Sequence, residues 1–94
     1  MIKGYKNRRT ERVFEGVRRG FKGLDYEEAL EKLDALDKID SLDQIPPLKS
    51  WSLHQLTGNR KGQWAVRVNG PWRIVFDWTD GGPDNLEITD YHKG

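Results

Sequence analysis

The chain carries two histidines, His54 and His92, and the second closes an Asp90-Tyr91-His92 run near the C-terminus. With Arg73 from the basic stretch between them, these side chains offer two imidazoles, a carboxylate, a phenol and a guanidinium. Cutting RNA without a metal requires a base near the 2′-OH, a cation on the phosphorane-like transition state and an acid for the departing 5′-oxygen. His54, Asp90, His92 and Arg73 could supply all three. A positioned acid or base contributes roughly 10² to 10⁴ in rate, a donor aimed at developing charge contributes comparably, and histidine titrates near neutrality. Each residue also has an ordinary use. A strand histidine is more often a surface or hydrogen-bonded group, Arg73 could pair with Asp77, and the tripeptide could be a frayed tail.

The sequence of 94 residues, 35% apolar and 33% charged, has the balance of one folded domain spanning 1–94, and its pattern of two helices on a mostly antiparallel sheet makes that domain α+β. Cysteine is absent, which removes disulfides and thiolate metal sites, and two histidines argue against a structural zinc. No cofactor or metal is expected. No apolar run approaches the ~18 residues of a membrane helix, and the start lacks a signal-peptide core, so the expected location is the cytoplasm, away from membranes.

A net charge of +1 conceals segregation along the chain. Residues 1–24 hold eight bases and two acids, whereas residues 25–43 hold two bases and eight acids. Residues 44–76 contain five bases (Lys49, Arg60, Lys61, Arg67 and Arg73) and no acid, and the last eighteen residues are again acidic. Basic residues interleaved with aromatics fit phosphate and base contacts, although lysines and arginines at sheet edges often serve only solubility.

The elements that must position these groups follow from periodicity. Ile2 to Lys6 alternates as a short strand. Asn7 caps a helix in which Val13, Phe14, Val17 and Phe21 recur, Gly16 weakens the interior, and Gly20 and Gly23 close it. Asp25 caps a second helix with Glu27 and Glu28 in its first turn and an apolar stripe of Tyr26, Ala29, Leu30, Leu33, Leu36 and Ile39; its outer face is acidic. Pro46-Pro47 ends the helical half. From Leu48 the period drops to two, so that Trp51 and Leu53 share one face and His54 the other. Two central antiparallel strands follow, with Trp64, Val66 and Val68 in one and Trp72, Ile74, Phe76 and Trp78 in the next. Pro71 cannot close a two-residue turn after Asn69-Gly70, which predicts a longer, bulged connection. Asp80-Gly81-Gly82-Pro83 marks a turn, and Leu86 to Tyr91 the last strand. Straight alternation would put Asp90 and His92 on the face of Leu86 and Ile88, so the strand must end or twist near Asp90 if the tripeptide is to meet one substrate.

The segments Leu53-His54-Gln55-Leu56-Thr57-Gly58-Asn59-Arg60-Lys61-Gly62-Gln63-Trp64, Arg67-Val68-Asn69-Gly70-Pro71-Trp72-Arg73-Ile74 and Asp90-Tyr91-His92 resemble the HigB, or plasmid maintenance killer, branch of the RelE/ParE superfamily of bacterial toxins. Met1-Ile2-Lys3 and Phe14-Glu15-Gly16 fit as well, so the resemblance spans nearly the whole chain. It implies a RelE-like, microbial ribonuclease-like fold of two N-terminal helices on a small, twisted, mostly antiparallel sheet. It also implies a toxin that enters the decoding site of the 70S ribosome and cuts the mRNA held there. The expected partner is a HigA-type helix-turn-helix antitoxin, with operator DNA reached only through that antitoxin. His54, Arg73, Asp90, Tyr91 and His92 match the family's cleavage residues: Arg73 steadies phosphate charge, His92 or Asp90 handles protons, and Tyr91 orients or stacks a nucleotide. Arg60, Lys61 and Arg67 are the candidate RNA and ribosome contacts. Many relatives have lysine where this chain has Thr57, so one phosphate contact is missing or passes to Arg60 or Lys61. A ParE-like inhibitor of DNA gyrase and an inactive, antitoxin-bound homologue are the alternatives.

Overall fold

Asn7 stands in extended backbone and its side-chain oxygen accepts the Thr10 N–H at 3.0 Å, capping α1 (Arg8–Phe14). Asp25 does the same for Glu28 at 3.1 Å and opens α2 (Tyr26–Lys38), whose first-turn Glu27 and Glu28 suit the positive end of the helix dipole. The remaining elements of this computed structural model, which describes residues 1–90, are β1 (His54–Gln55), β2 (Trp64–Arg67), β3 (Arg73–Thr79) and β4 (Gly82–Thr89), with single 3₁₀ turns at Leu42–Gln44 and Gly58–Arg60.

The four strands form one antiparallel sheet in the order β1-β2-β3-β4, so the two strands expected to be central are central. One face is apolar. Val66, Ile74, Phe76, Leu86 and Ile88 are buried there against Val13, Ala29, Leu33 and Leu36 of the two helices, with Trp64, Trp72 and Trp78 packed at the margin. Alternation therefore leaves Ala65, Arg67, Arg73, Val75, Asp77, Glu87 and Thr89 on the opposite, open face. Among the described residues there, a small cluster of Leu56, Ala65 and Val75 is buried, where the loop after β1 folds over the sheet.

The outer edge of β4 is covered rather than left as an exposed row of donors and acceptors. The N-terminal segment runs parallel beside it, with Lys3 donating to the Pro83 carbonyl, Leu86 to Gly4 and Lys6 to Leu86 at 2.8 to 3.1 Å. Only one bridge forms, Tyr5 with Leu86, so the expected strand at Ile2 to Lys6 is reduced to an extended flank. Its N-terminal end is tied to α2 by the Ile2 N–H on Asp37 at 2.8 Å. Beyond Lys6, the buried Thr10 hydroxyl takes over and accepts the Ile88 N–H at 3.0 Å. That contact fastens α1 to the sheet.

Several expected boundaries move. The first helix stops at Phe14 because Gly16, at φ +96°, forms a left-handed terminus: Val17 N–H bonds the Arg12 carbonyl and Gly16 N–H that of Val13. Gly16 is thus a helix stop and not a weakened interior position. Phe21 reaches the core from the following loop, meeting Trp72 edge to face at 5.4 Å between centroids. Leu48 to Ser52 is a turn rather than a strand, since the N–H groups of Trp51 and Ser52 both bond the Leu48 carbonyl and Ser52 has φ +45°. Leu30 of the expected buried stripe is only partly covered. The last hairpin is tighter than expected. Thr79 pairs with Gly82 across Asp80-Gly81, whose φ values of +45° and +76° suit a two-residue turn, so Gly82 and Pro83 already belong to β4. The β2–β3 connection has the expected extra length, with Val68 N–H bonding Trp72 O at 3.0 Å around Asn69-Gly70-Pro71.

Candidate functional site

Cross-strand register assembles the open face row by row. His54 stands opposite Ala65, which stands opposite Val75, which stands opposite Glu87. Two residues along, Arg67 faces Arg73 and Arg73 faces Thr89. His54 and Arg67 are therefore diagonal neighbours on adjacent strands, with backbones about 7 to 8 Å apart. An imidazole and two guanidinium side chains from three strands share one surface.

His54 is exposed, and its Nδ1 lies 2.9 Å from the Ser52 carbonyl oxygen. A carbonyl only accepts, so in the neutral ring Nδ1 carries the proton and Nε2 is the acceptor nitrogen. The left-handed Ser52 and its hydroxyl bond to the Lys49 carbonyl at 2.5 Å set the position of that carbonyl. Arg73 is half-buried and donates through one terminal nitrogen to the carbonyls of Gly70 and Trp72, each at 2.9 Å. It makes no pair with Asp77, which instead accepts from Asn85 at 2.9 Å. The hairpin holding Arg73 is itself docked: Asn69 bonds the backbone of Gly23 and Asp25, and the Trp72 indole donates to Lys22 at 3.1 Å.

Among the remaining expected site residues, Lys61 and Arg67 are exposed. Arg60 is engaged, donating to Glu87 at 3.1 Å and to Gln63 at 3.4 Å. Asp90 follows directly on the last residue of β4 and is half-buried. The strand thus ends where the tripeptide would need it to end; Tyr91 and His92 lie outside the described residues. Among the described residues no three His, Cys, Asp or Glu side chains are grouped closely enough to hold a metal ion, and no helix is long and apolar enough to cross a membrane.

Two contributors were not picked out from the sequence. Glu87 sits on the open face, as its alternation with Leu86 and Ile88 implies, but nothing in the sequence pairs it with Arg60, 27 positions away. Lys32 is 2% exposed, on the core side. Its ammonium contacts Glu28 at 3.0 Å, the Arg67 carbonyl at 2.5 Å and the Ser50 carbonyl, and lies over the Trp51 ring. It braces, from behind the sheet, the turn before His54 and the end of the strand carrying Arg67. Its place three residues after Ala29 and four before Leu36 is the one sequence signal for it.

The family model described as the RelE-like toxin of the type II toxin–antitoxin system HigB matches residues 3–92. The chain belongs to this family. Among characterised relatives, it is 32% identical over 93 residues to Endoribonuclease HigB of Proteus vulgaris, covering 98% of this chain and 100% of that one. The fold matches the crystal structure of a YafQ mutant from E. coli with a TM-score of 0.62, at 15% identity over 100% of this chain and 98% of the other. As a HigB-like toxin the chain is one half of a pair whose other half is an antitoxin.

Proposed function

We propose that this HigB-like toxin is an endoribonuclease that cuts messenger RNA in the ribosomal A site by acid–base chemistry and so arrests translation. The observation that carries this proposal is the gathering of His54, Arg67 and Arg73 on the open face, beside the end of β4 from which Asp90, Tyr91 and His92 continue. Full-length similarity to Endoribonuclease HigB supports it.

In the proposed reaction one member of the His54, Asp90 and His92 set takes the 2′-OH proton, O2′ attacks the adjacent phosphorus, and the P–O5′ bond breaks. A second member protonates the departing O5′, leaving a 2′,3′-cyclic phosphate. With Nδ1 facing the Ser52 carbonyl, Nε2 is the His54 nitrogen that takes part in such a step. Arg73 stabilises charge building on the non-bridging oxygens, Tyr91 orients the nucleotide, and Arg67, Arg60 and Lys61 hold flanking phosphates. The A site supplies a message already bent into reactive geometry, an entropic gain that this small, open surface does not provide by itself. A HigA-type antitoxin neutralises the toxin and connects it to operator DNA.

The test is to add the protein to a translating extract and map new RNA ends, with EDTA-treated, protein-free RNA in parallel. Cuts confined to ribosome-bound message are expected. Halted translation with intact message would overturn the proposal, and lost gyrase supercoiling in the same samples would identify the protein as a gyrase inhibitor instead.

A further inference from the structure

Beside the His54–Arg73 surface the open face deepens into a cleft of about 830 Å³ whose lining includes Lys6, Thr57, Arg60, Lys61, Gln63 and Asp77. Two cations enter it from opposite walls, Lys6 from the flank outside β4 and Arg60 from the loop folded over Leu56. Both end on the same carboxylate oxygen, Glu87 Oε1, at 3.7 Å and 3.1 Å. Glu87 is 15% exposed, whereas Arg60 is 27% and Lys6 53% exposed and both line the cleft. Arg60 spends a single terminal nitrogen on Glu87 and Gln63. Among the described residues its other donors hold no partner.

We propose that Lys6 and Arg60, spaced by their shared contact with Glu87, form a subsite for one backbone phosphate of RNA. Two cations that meet on one carboxylate oxygen are spaced to meet on one phosphate oxygen, and the unused edge of the Arg60 guanidinium gives the planar fork that phosphate recognition favours. Glu87 holds both side chains in place, so little rotamer freedom is lost when the anion arrives. Lys61, exposed on the same rim, adds to the local potential. Asp77, whose carboxylate lines the cleft, accepts from Asn85.

The subsite rests on the RNA-cutting proposal, yet the two fail separately, because one is read from cleavage and the other from binding. Binding of a single-stranded RNA of about ten nucleotides is measured across a salt series in the uncut background His54→Ala, with Lys6→Gln, Arg60→Gln and both together. Each single change is expected to lower the slope of log affinity against log salt by up to ~0.7, the value for one single-strand phosphate, and the double change by no more than either one. Glu87→Gln keeps the shape of the side chain and removes its charge, so it is expected to tighten binding several-fold without changing the slope. Unchanged slopes accompanied by lowered thermal stability would make the triad a purely structural brace and overturn the subsite. Additive slope losses would also overturn it, since they imply two separate phosphates. Ribosomes with and without message then locate the phosphate. Weakening by Arg60→Gln only on loaded ribosomes assigns it to the message, weakening on both assigns it to ribosomal RNA, and weakening on neither contradicts the proposal.

Discussion

At the residue scale, backbone carbonyls help to hold the side chains proposed for chemistry. His54 depends on Ser52, and Arg73 on Gly70 and Trp72. Thr10 is the corresponding structural case, because its hydroxyl is the acceptor for a strand N–H that has passed the end of the N-terminal flank. Thr10→Val keeps shape and removes that acceptor, and is expected to cost about 1 to 3 kcal/mol in chemical denaturation, with Thr10→Ser recovering most of it. Tyr5 gives a pH signature. Burial, reinforced by the carboxylates of Asp37, Glu11 and Glu15, pushes its phenol up to about 12 from an ordinary value near 10. The folded state therefore keeps a proton that the unfolded chain releases, and this contribution to stability is complete below pH ~10 and lost as pH rises towards ~12. Alkaline denaturation of Tyr5→Phe is expected to lack that component. The exposed side of His54 was legible from alternation alone, whereas its bond to Ser52 was not, since it depends on one left-handed residue that no periodicity reports.

At the element scale, β1 is two residues long, too short to fix His54 by ladder bonds alone. The preceding turn is held instead by Arg67 N–H on the Trp51 carbonyl at 2.8 Å and by Lys32 on Ser50 and Arg67. Lys32→Met would strand Glu28 and two carbonyls. A loss near the lower end of about 3 to 5 kcal/mol is expected, because Glu28 is a third exposed, together with slower cleavage; Lys32→Arg should recover part of both. Retained stability and activity in Lys32→Met would show that β1 holds without the brace. Strong periodicity made β2, β3 and α2 readable, and the Asp25 and Asn7 caps with them. Misread segments are those where one backbone conformation outweighs pattern. Gly16 stops α1 through left-handed geometry although Val17 and Phe21 continue the spacing, and Leu48 to Leu53 alternates like a strand yet turns so that Trp51 can bury its ring. The extra length of the β2–β3 connection was readable because Pro71 lacks an N–H.

At the scale of the whole molecule, the open face and α2 carry opposite charge. Arg60, Lys61, Arg67 and Arg73 lie on or over the open face, while Glu27, Glu31 and Asp34 are exposed on α2, on the other side of the sheet. The molecule measures 30 × 27 × 25 Å, several times the ~8 Å Debye length at physiological salt, so acidic α2 does little to cancel the charge of the basic open face. Association with ribosomes is accordingly expected to weaken steeply between 50 and 200 mM salt, roughly tenfold or more, as sedimentation binding would measure. Salt-independent binding would mean that the basic face is not the docking surface. The central claim, that the open face is a single cutting site, is most directly tested by the rate of message cleavage on ribosomes for His54→Ala, Arg73→Ala and the double variant. Each single change should slow cleavage by roughly 10² or more, and the double variant should be far less impaired than the product of the two, as for groups that act as a unit. Cleavage at the original rate in the double variant would contradict the claim.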